Sequence, residues 1–170
     1  LAGVSVHSLQ LGLAANTETA ARLSVIRSMP NLPCQVTQGV TGLFAAARVS
    51  AEYKQWTQNL FAVLGKTFWL QQESMMHALT VVSGSGPAYF FLLQEYLISF
   101  AHQQGFTRNE AETLVQQTML GTAIMSGQCK EDVSTLRAMI TSPGGITEKV
   151  MCHLEQNNLE QIWSAALTSG

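Results

Sequence analysis

The chain has 170 residues, 46% of them hydrophobic and 12% charged, with a formal net charge of -2. That balance excludes a disordered chain and suffices for a sizeable core without disulfide or metal support. Nine Lys and Arg residues are scattered singly rather than gathered into a basic stripe, which argues against nucleic acid as a partner.

The chain opens on Leu1 rather than Met and has no basic-then-apolar leader, so it reads as a fragment, a processed product or an incompletely observed protein. A short helix is expected over residues 6–11, a strand over 23–26 and a second extended run over 40–45. Two or three strands cannot make a stable open sheet alone. The region therefore reads as the tail of a larger α/β unit. Ser50 and Gly65 bracket a helix expected over 51–64, and the boundary to an essentially all-helical region falls near 67–73.

The most apolar stretch, 79–101, is interrupted by Ser83, Gly84, Ser85, Gly86, Pro87, Gln94 and Glu95, which leaves it short of a membrane span. Residues 88–101 read instead as a helix apolar on more than one stripe, needing neighbours all around it. After a turn at 103–106, Thr107 and Glu110 have capping-box spacing at the head of a helix running to Gly127. Shorter helices are expected over 133–140, 147–154 and 159–166. Asn158 and Gln161 stand at capping-box spacing for the last of these.

Residues able to carry chemistry are sparse. The four His lie far apart, the single Asp, Asp132, has no obvious carboxylate partner, and Cys34, Cys129 and Cys152 are widely spaced. No hydrolytic triad or closed zinc site is indicated. The odd set of cysteines suits a reducing compartment, with the cytoplasm as the default. The most unusual feature is Thr141, Ser142, Pro143, Gly144, Gly145, Ile146 and Thr147, a rigid Pro and two permissive glycines directly before a helix. Free backbone N–H groups can converge there on a carboxylate or phosphate, with the Ser142 and Thr147 hydroxyls adding bonds. The same residues also suit a plain turn.

Two further segments resemble ligand-side loops. In Ser83, Gly84, Ser85, Gly86 and Pro87, the glycines let the chain pass close to another segment or a ligand, and Pro87 fits a first helical turn. Arg27, Ser28, Met29, Pro30, Asn31, Leu32 and Pro33 follow the first expected strand directly, where ligands of open α/β sheets sit. An ordinary loop with a locally paired Arg27 is the alternative. Trp56, Trp69 and Trp163 read as packing groups.

Taken in order, residues 27–33, the run His77-Ala78-Leu79-Thr80-Val81-Val82-Ser83-Gly84-Ser85-Gly86-Pro87-Ala88-Tyr89 and residues 139–147 resemble pyrroline-5-carboxylate reductase. The opening Leu1-Ala2-Gly3-Val4 and Leu154-Glu155 extend the resemblance over practically the whole chain. Lacking are the family's glycine-rich nucleotide fingerprint, most of its sheet and its Lys-Pro loop. The resemblance implies a mainly α fold: a carboxyl-terminal helical dimerisation domain over 71–170, preceded over 1–70 by the tail of a Rossmann-like α/β domain. It implies a homodimer of intertwined helices, or a higher oligomer of such dimers, and reduction of L-pyrroline-5-carboxylate to L-proline with NADPH or NADH. No metal and no membrane are implied.

Carried onto this chain by the resemblance, Ser142, Gly144, Gly145, Ile146 and Thr147 would hold the substrate carboxylate, and the Thr147 hydroxyl would face the imine nitrogen. Ala2, Gly3, Met29, Pro30 and Asn31 would lie on the cofactor side. Ser83, Gly84, Ser85, Gly86 and Pro87 would form the floor between the two ligands. Glu131 would stand near the substrate loop, where a local packing or solvent role is equally open. Four departures stand out: Ile146 for Thr or Ala, Leu32 for Thr, Glu131-Asp132-Val133 for Glu-His-Pro, and Glu148 for an apolar residue. Glu148 places a negative charge in a first helical turn, where it either complements the helix dipole or, facing inward, weakens the anion site. Without the phosphate-binding glycines these 170 residues alone are expected to be inactive. A noncatalytic dimerisation or regulatory relative, or an unrelated helical scaffold, is the alternative.

Overall fold

A computed structural model describes residues 3–13 and 23–170. The chain forms two compact units, Leu1–Phe90 and Phe91–Gly170. In the first, helix α1 (Val6–Leu13) precedes strands β1 (Ile26–Pro30) and β2 (Gly39–Ala45), with a 3-10 turn, Leu32–Val36, between them. Helix α2 (Ala51–Ala62), strand β3 (Gly65–Trp69) and helix α3 (Met75–Leu79) follow, and a π turn, Thr80–Gly84, closes the series.

The sheet has the order β1-β2-β3, with β1 antiparallel and β3 parallel to the central strand. Ser28, Leu43 and Trp69 lie abreast. Flanked on both sides, β2 supplies the centre of this unit's core: Leu43 and Thr41 are fully buried. Gly42 admits the Leu79 side chain of α3 so closely that a Cβ there would collide with it, so the glycine fixes how near that helix comes to the sheet.

The observed strands correct one expectation and add one element. The first strand is Ile26–Pro30 rather than 23–26, so Arg27, Ser28, Met29 and Pro30 belong to it and not to a loop. Pairing across to β2 sets that register, and Pro30 is tolerated because β1 is an edge strand. The parallel strand Gly65–Trp69 falls where a domain boundary was expected. Gly65 both ends the α2 segment and opens β3, at a φ of 138° that L side chains rarely adopt.

The second unit begins within helix α4 (Gly86–Gln103) and continues through α5 (Arg108–Gln128), α6 (Val133–Met139), α7 (Ile146–Gln156) and α8 (Leu159–Ser169). The capping box forms: the Glu110 N–H donates to the Thr107 hydroxyl, and the Thr107 N–H donates to the Glu110 carboxylate at 2.8 Å. The Thr107 hydroxyl, and after it the Thr107 backbone, hold the Glu110 carboxyl below its usual pKa. Asp132 caps α6 through the Thr135 N–H at 2.9 Å. That bond, followed by the Ser134 hydroxyl, lowers the Asp132 pKa.

The capping box expected at Asn158 and Gln161 does not form. Asn158 sits in the left-handed region at φ 56° with no side-chain cap bond. Its N–H donates to the Glu155 carbonyl, so it terminates α7, a place that suits Asn.

Within the described chain, the expected cover of the apolar helix is missing. The buried apolar residues of the second unit are Ala101, Ala111 and Val115, too little for a core able to hold five helices. On α4, Tyr96 is 64% and Phe100 62% exposed. The helical stretch Met75–Gln103 is long and apolar enough to cross a membrane by length and composition alone. Ser83, Ser85, Gln94 and Glu95 nonetheless divide it into shorter apolar runs.

Candidate functional site

Each unit holds part of the candidate machinery. In the first, Asn31 leaves the end of β1 and joins three pieces of chain. Its side-chain NH2 donates to the Ser83 carbonyl and hydroxyl oxygens, both at 3.2 Å. Its side-chain oxygen accepts the Val40 N–H at 2.8 Å, and its own carbonyl accepts from Cys34 at the start of the 3-10 turn. The Asn31 amide is thus engaged in holding β2 and the π turn, and its own N–H donates to the Val40 carbonyl.

Removal of this junction has a definite expected cost. Asn31→Ala leaves the Val40 N–H without its acceptor and should destabilise the chain by about 2 kcal/mol. Urea unfolding measures it. A loss below about 0.5 kcal/mol, the scale of an ordinary surface change, would show that the junction is not structural.

The π turn is closed by the Ser85 N–H on the Thr80 carbonyl at 2.8 Å, and the Tyr89 hydroxyl binds the Val81 carbonyl. A Cβ on Gly84 would lie 3.0 Å from the end of Met29, so Met29 is the segment that Gly84 admits. Among the described residues outside its own helix backbone and chain neighbours, nothing lies within 4 Å of the Cβ position of Gly86. Pro87 occupies the first turn of α4. This brings Met29 and Asn31 to the Ser83–Gly84 backbone, and π turns are frequent at functional sites.

A cleft of about 530 Å³ is lined by Gly3, Arg27, Glu73, Met76, His77 and Thr80 among others, and of the π turn only Thr80 reaches it. Arg27 is paired with Glu73 at 2.9 Å, and the same carboxylate oxygen accepts the Val6 N–H at 2.7 Å. The pairing neutralises a mostly buried guanidinium and ties the head of α1 to β1. Glu73 lies 46 residues from Arg27 in sequence, too far for any local pattern to reveal. Among the described residues other than its chain neighbours, nothing approaches within 4 Å of the Cβ position of Gly3. Ala2 lies outside the described residues.

In the second unit, Gly144 takes the left-handed conformation at φ 73°, and Gly145 is the N-cap of α7. The expectation of free amides throughout this corner is met only in part. The Gly145 N–H donates to the Ser142 carbonyl at 3.0 Å, and the Gly144 N–H donates to the Glu148 carboxylate at 2.7 Å. Ile146 and Thr147 are the first two helical residues, so their N–H groups have no acceptor inside the helix. The Thr147 hydroxyl is half-buried and has no hydrogen-bond partner among the described residues. Ser142 is exposed, as is Glu131 in the turn before α6.

These two amides and the hydroxyl form a group that can bind one small anion. Beside it, Glu148 engages the Gly144 N–H, which settles where its carboxylate points. Among the described residues, no three His, Cys, Asp or Glu side chains gather to hold a metal ion.

Comparison with known proteins adds an independent line. The family description "Pyrroline-5-carboxylate reductase dimerisation" matches residues 73–170. A pyrroline-5-carboxylate reductase of Pasteurella multocida is 42% identical over 98% of this chain and 58% of its own length. The solved structure of a Coxiella burnetii pyrroline-5-carboxylate reductase superposes with a TM-score of 0.83 at 38% identity, covering 89% of this chain and 57% of that one. A Plasmodium falciparum pyrroline carboxylate reductase with NADP bound gives a TM-score of 0.88 at 28% identity, covering 98% and 64%. The chain thus spans less than two thirds of each of these relatives. With its helical carboxyl-terminal region behind a small mixed sheet and a dimerisation match over more than half its length, the chain belongs to the pyrroline-5-carboxylate reductase family.

Proposed function

We propose that this chain carries the substrate-holding and dimer-forming part of an oxidoreductase that reduces L-pyrroline-5-carboxylate to L-proline with NADPH or NADH. The observation that carries this reading is the Gly144-Gly145 corner ahead of α7, with the Ile146 and Thr147 N–H groups unused by the helix, in a chain of this family. A carboxylate leaving water needs several donors to offset its lost hydration, and the corner supplies them at the positive end of a helix. Held there, the ring imine lies beside the Thr147 hydroxyl, which fixes its nitrogen while the adjacent carbon is reduced. The cofactor supplies the hydride. On this chain, Gly3 and the cleft it lines suit close approach of the cofactor's reacting end. Orientation of the two ligands accounts for most of such a rate enhancement, and no strong side-chain base is needed.

A second copy of the chain covers the exposed α4 face in this reading, as expected where one chain leaves a largely apolar helix uncovered. The thiols of Cys34, Cys129 and Cys152 are free, which suits a reaction in the reducing cytoplasm. The test is proline formation from pyrroline-5-carboxylate and NADPH by the full encoded protein. The 170 residues alone should give none. A noncatalytic relative is the second reading, favoured by the presence of Glu148 in the corner. Failure of the full protein to turn over would select it.

A further inference from the structure

We propose that Glu148 is an internal occupant of the anion corner, competing with the substrate's carboxylate for the Gly144 N–H. The proposal rests on the reading of that corner as a carboxylate site. Its basis is one contact: a Glu148 carboxylate oxygen accepts the Gly144 N–H at 2.7 Å, the length of a charge-assisted bond. The chemical group already bound is the one the substrate would bring.

Geometry separates this contact from an ordinary helix cap. In a capping box, the third helical residue reaches back to the N–H immediately before the helix. Glu148 is the third residue of α7, and Gly145 stands immediately before it. The Gly145 N–H, however, is taken by the Ser142 carbonyl. Glu148 passes over that position to Gly144, one residue further out, where the left-handed backbone bends the chain. No Lys or Arg forms an ion pair with Glu148 among the described residues. Its charge is directed at the Gly144 N–H and the head of α7.

A half-exposed carboxylate in this position is displaceable. Anion binding at a helix start with solvent access is a modest effect, so the internal competitor should weaken substrate binding by about two- to fivefold and not abolish it. The consequence is a corner that opens fully only when substrate is abundant, because the Glu148 side chain must first rotate away.

The test uses the full encoded protein and its Glu148→Ala and Glu148→Gln variants. Calorimetric titration with tetrahydrofuran-2-carboxylate, a ring carboxylate without an ionisable ring nitrogen, is read beside KM for pyrroline-5-carboxylate. Glu148→Ala should lower both the Kd and KM by about two- to fivefold. Glu148→Gln keeps an acceptor for the Gly144 N–H and so preserves the turn, and its values should fall between the other two. If the unmodified protein binds the ring carboxylate and Glu148→Ala binds it equally or more weakly, the competition is overturned and the corner reading stands. If none of the three proteins binds it, the corner reading falls and this inference falls with it.

Discussion

Dilution over roughly two orders of magnitude should lower the melting temperature of this chain by about 4 °C. For a dimer without a stable monomer, a hundredfold dilution removes RT ln 100, about 2.7 kcal/mol per dimer. Divided by the unfolding entropy of two chains of this length, that is a shift of about 4 °C. The expectation follows from the second unit's own inventory. Its buried apolar residues are Ala101, Ala111 and Val115, while Leu93, Tyr96, Phe100, Leu114, Leu120 and Ile124 are all exposed. Such a set cannot offset the entropy of ordering five helices unless another surface covers it.

Leu93→Glu tests the same point at one residue. Leu93, Tyr96 and Phe100 lie three and seven residues apart on α4, along one side of the helix. Removing a Leu from an interface forfeits about 1.5–3 kcal/mol, and twofold symmetry counts it twice. An unpaired carboxylate in its place adds a further penalty. Together these should weaken a dimer by at least ~1000-fold. Light scattering should report twice 18.5 kDa for the unmodified chain, or a multiple of that for a ring of dimers, and a monomer or aggregate for the variant. A monodisperse monomer whose unfolding ignores concentration would overturn the expectation.

What sequence alone discloses depends on how far apart the deciding partners lie. The caps at Ser50 and Thr107 are legible because donor and acceptor stand three residues apart. The register of Ile26–Pro30 is not, since it is fixed by pairing with Gly39–Ala45. Strand Gly65–Trp69 has only five residues, too few for a periodic signal. Asn158 suits either the end of one helix or the start of the next, and the preceding helix decides. The composition of α4 discloses that it needs cover, while the cover itself is not among the described residues. At the corner, the glycines and Thr147 are readable from the Pro-Gly-Gly spacing. The direction of Glu148 is a rotamer choice, open until the Gly144 N–H is seen to hold it.

Thr147→Val in the full encoded protein should reduce kcat/KM for pyrroline-5-carboxylate by about 10- to 150-fold. Thr147 is the second residue of α7, with a hydroxyl that has no partner among the described residues. Valine preserves the branched shape and the backbone N–H, so the substitution removes a single hydroxyl. A hydrogen bond to a charged group contributes about 1.5–3 kcal/mol, and each 1.36 kcal/mol is a factor of about ten in rate. An iminium held during reduction is such a group. Thr147→Ser restores the hydroxyl and should recover most of the rate, a rescue that a purely structural role would not give. Thermal unfolding of the Val variant should match the parent closely, because no bond among the described residues is lost. Unchanged kcat/KM in that variant would mean that the hydroxyl faces away from the reacting nitrogen, leaving only the Ile146 and Thr147 amides to orient the ring. In that case, substitutions that bend the backbone at Gly145, where a Cβ would lie 3.0 Å from the Ser142 carbonyl, should be the ones that lower the rate.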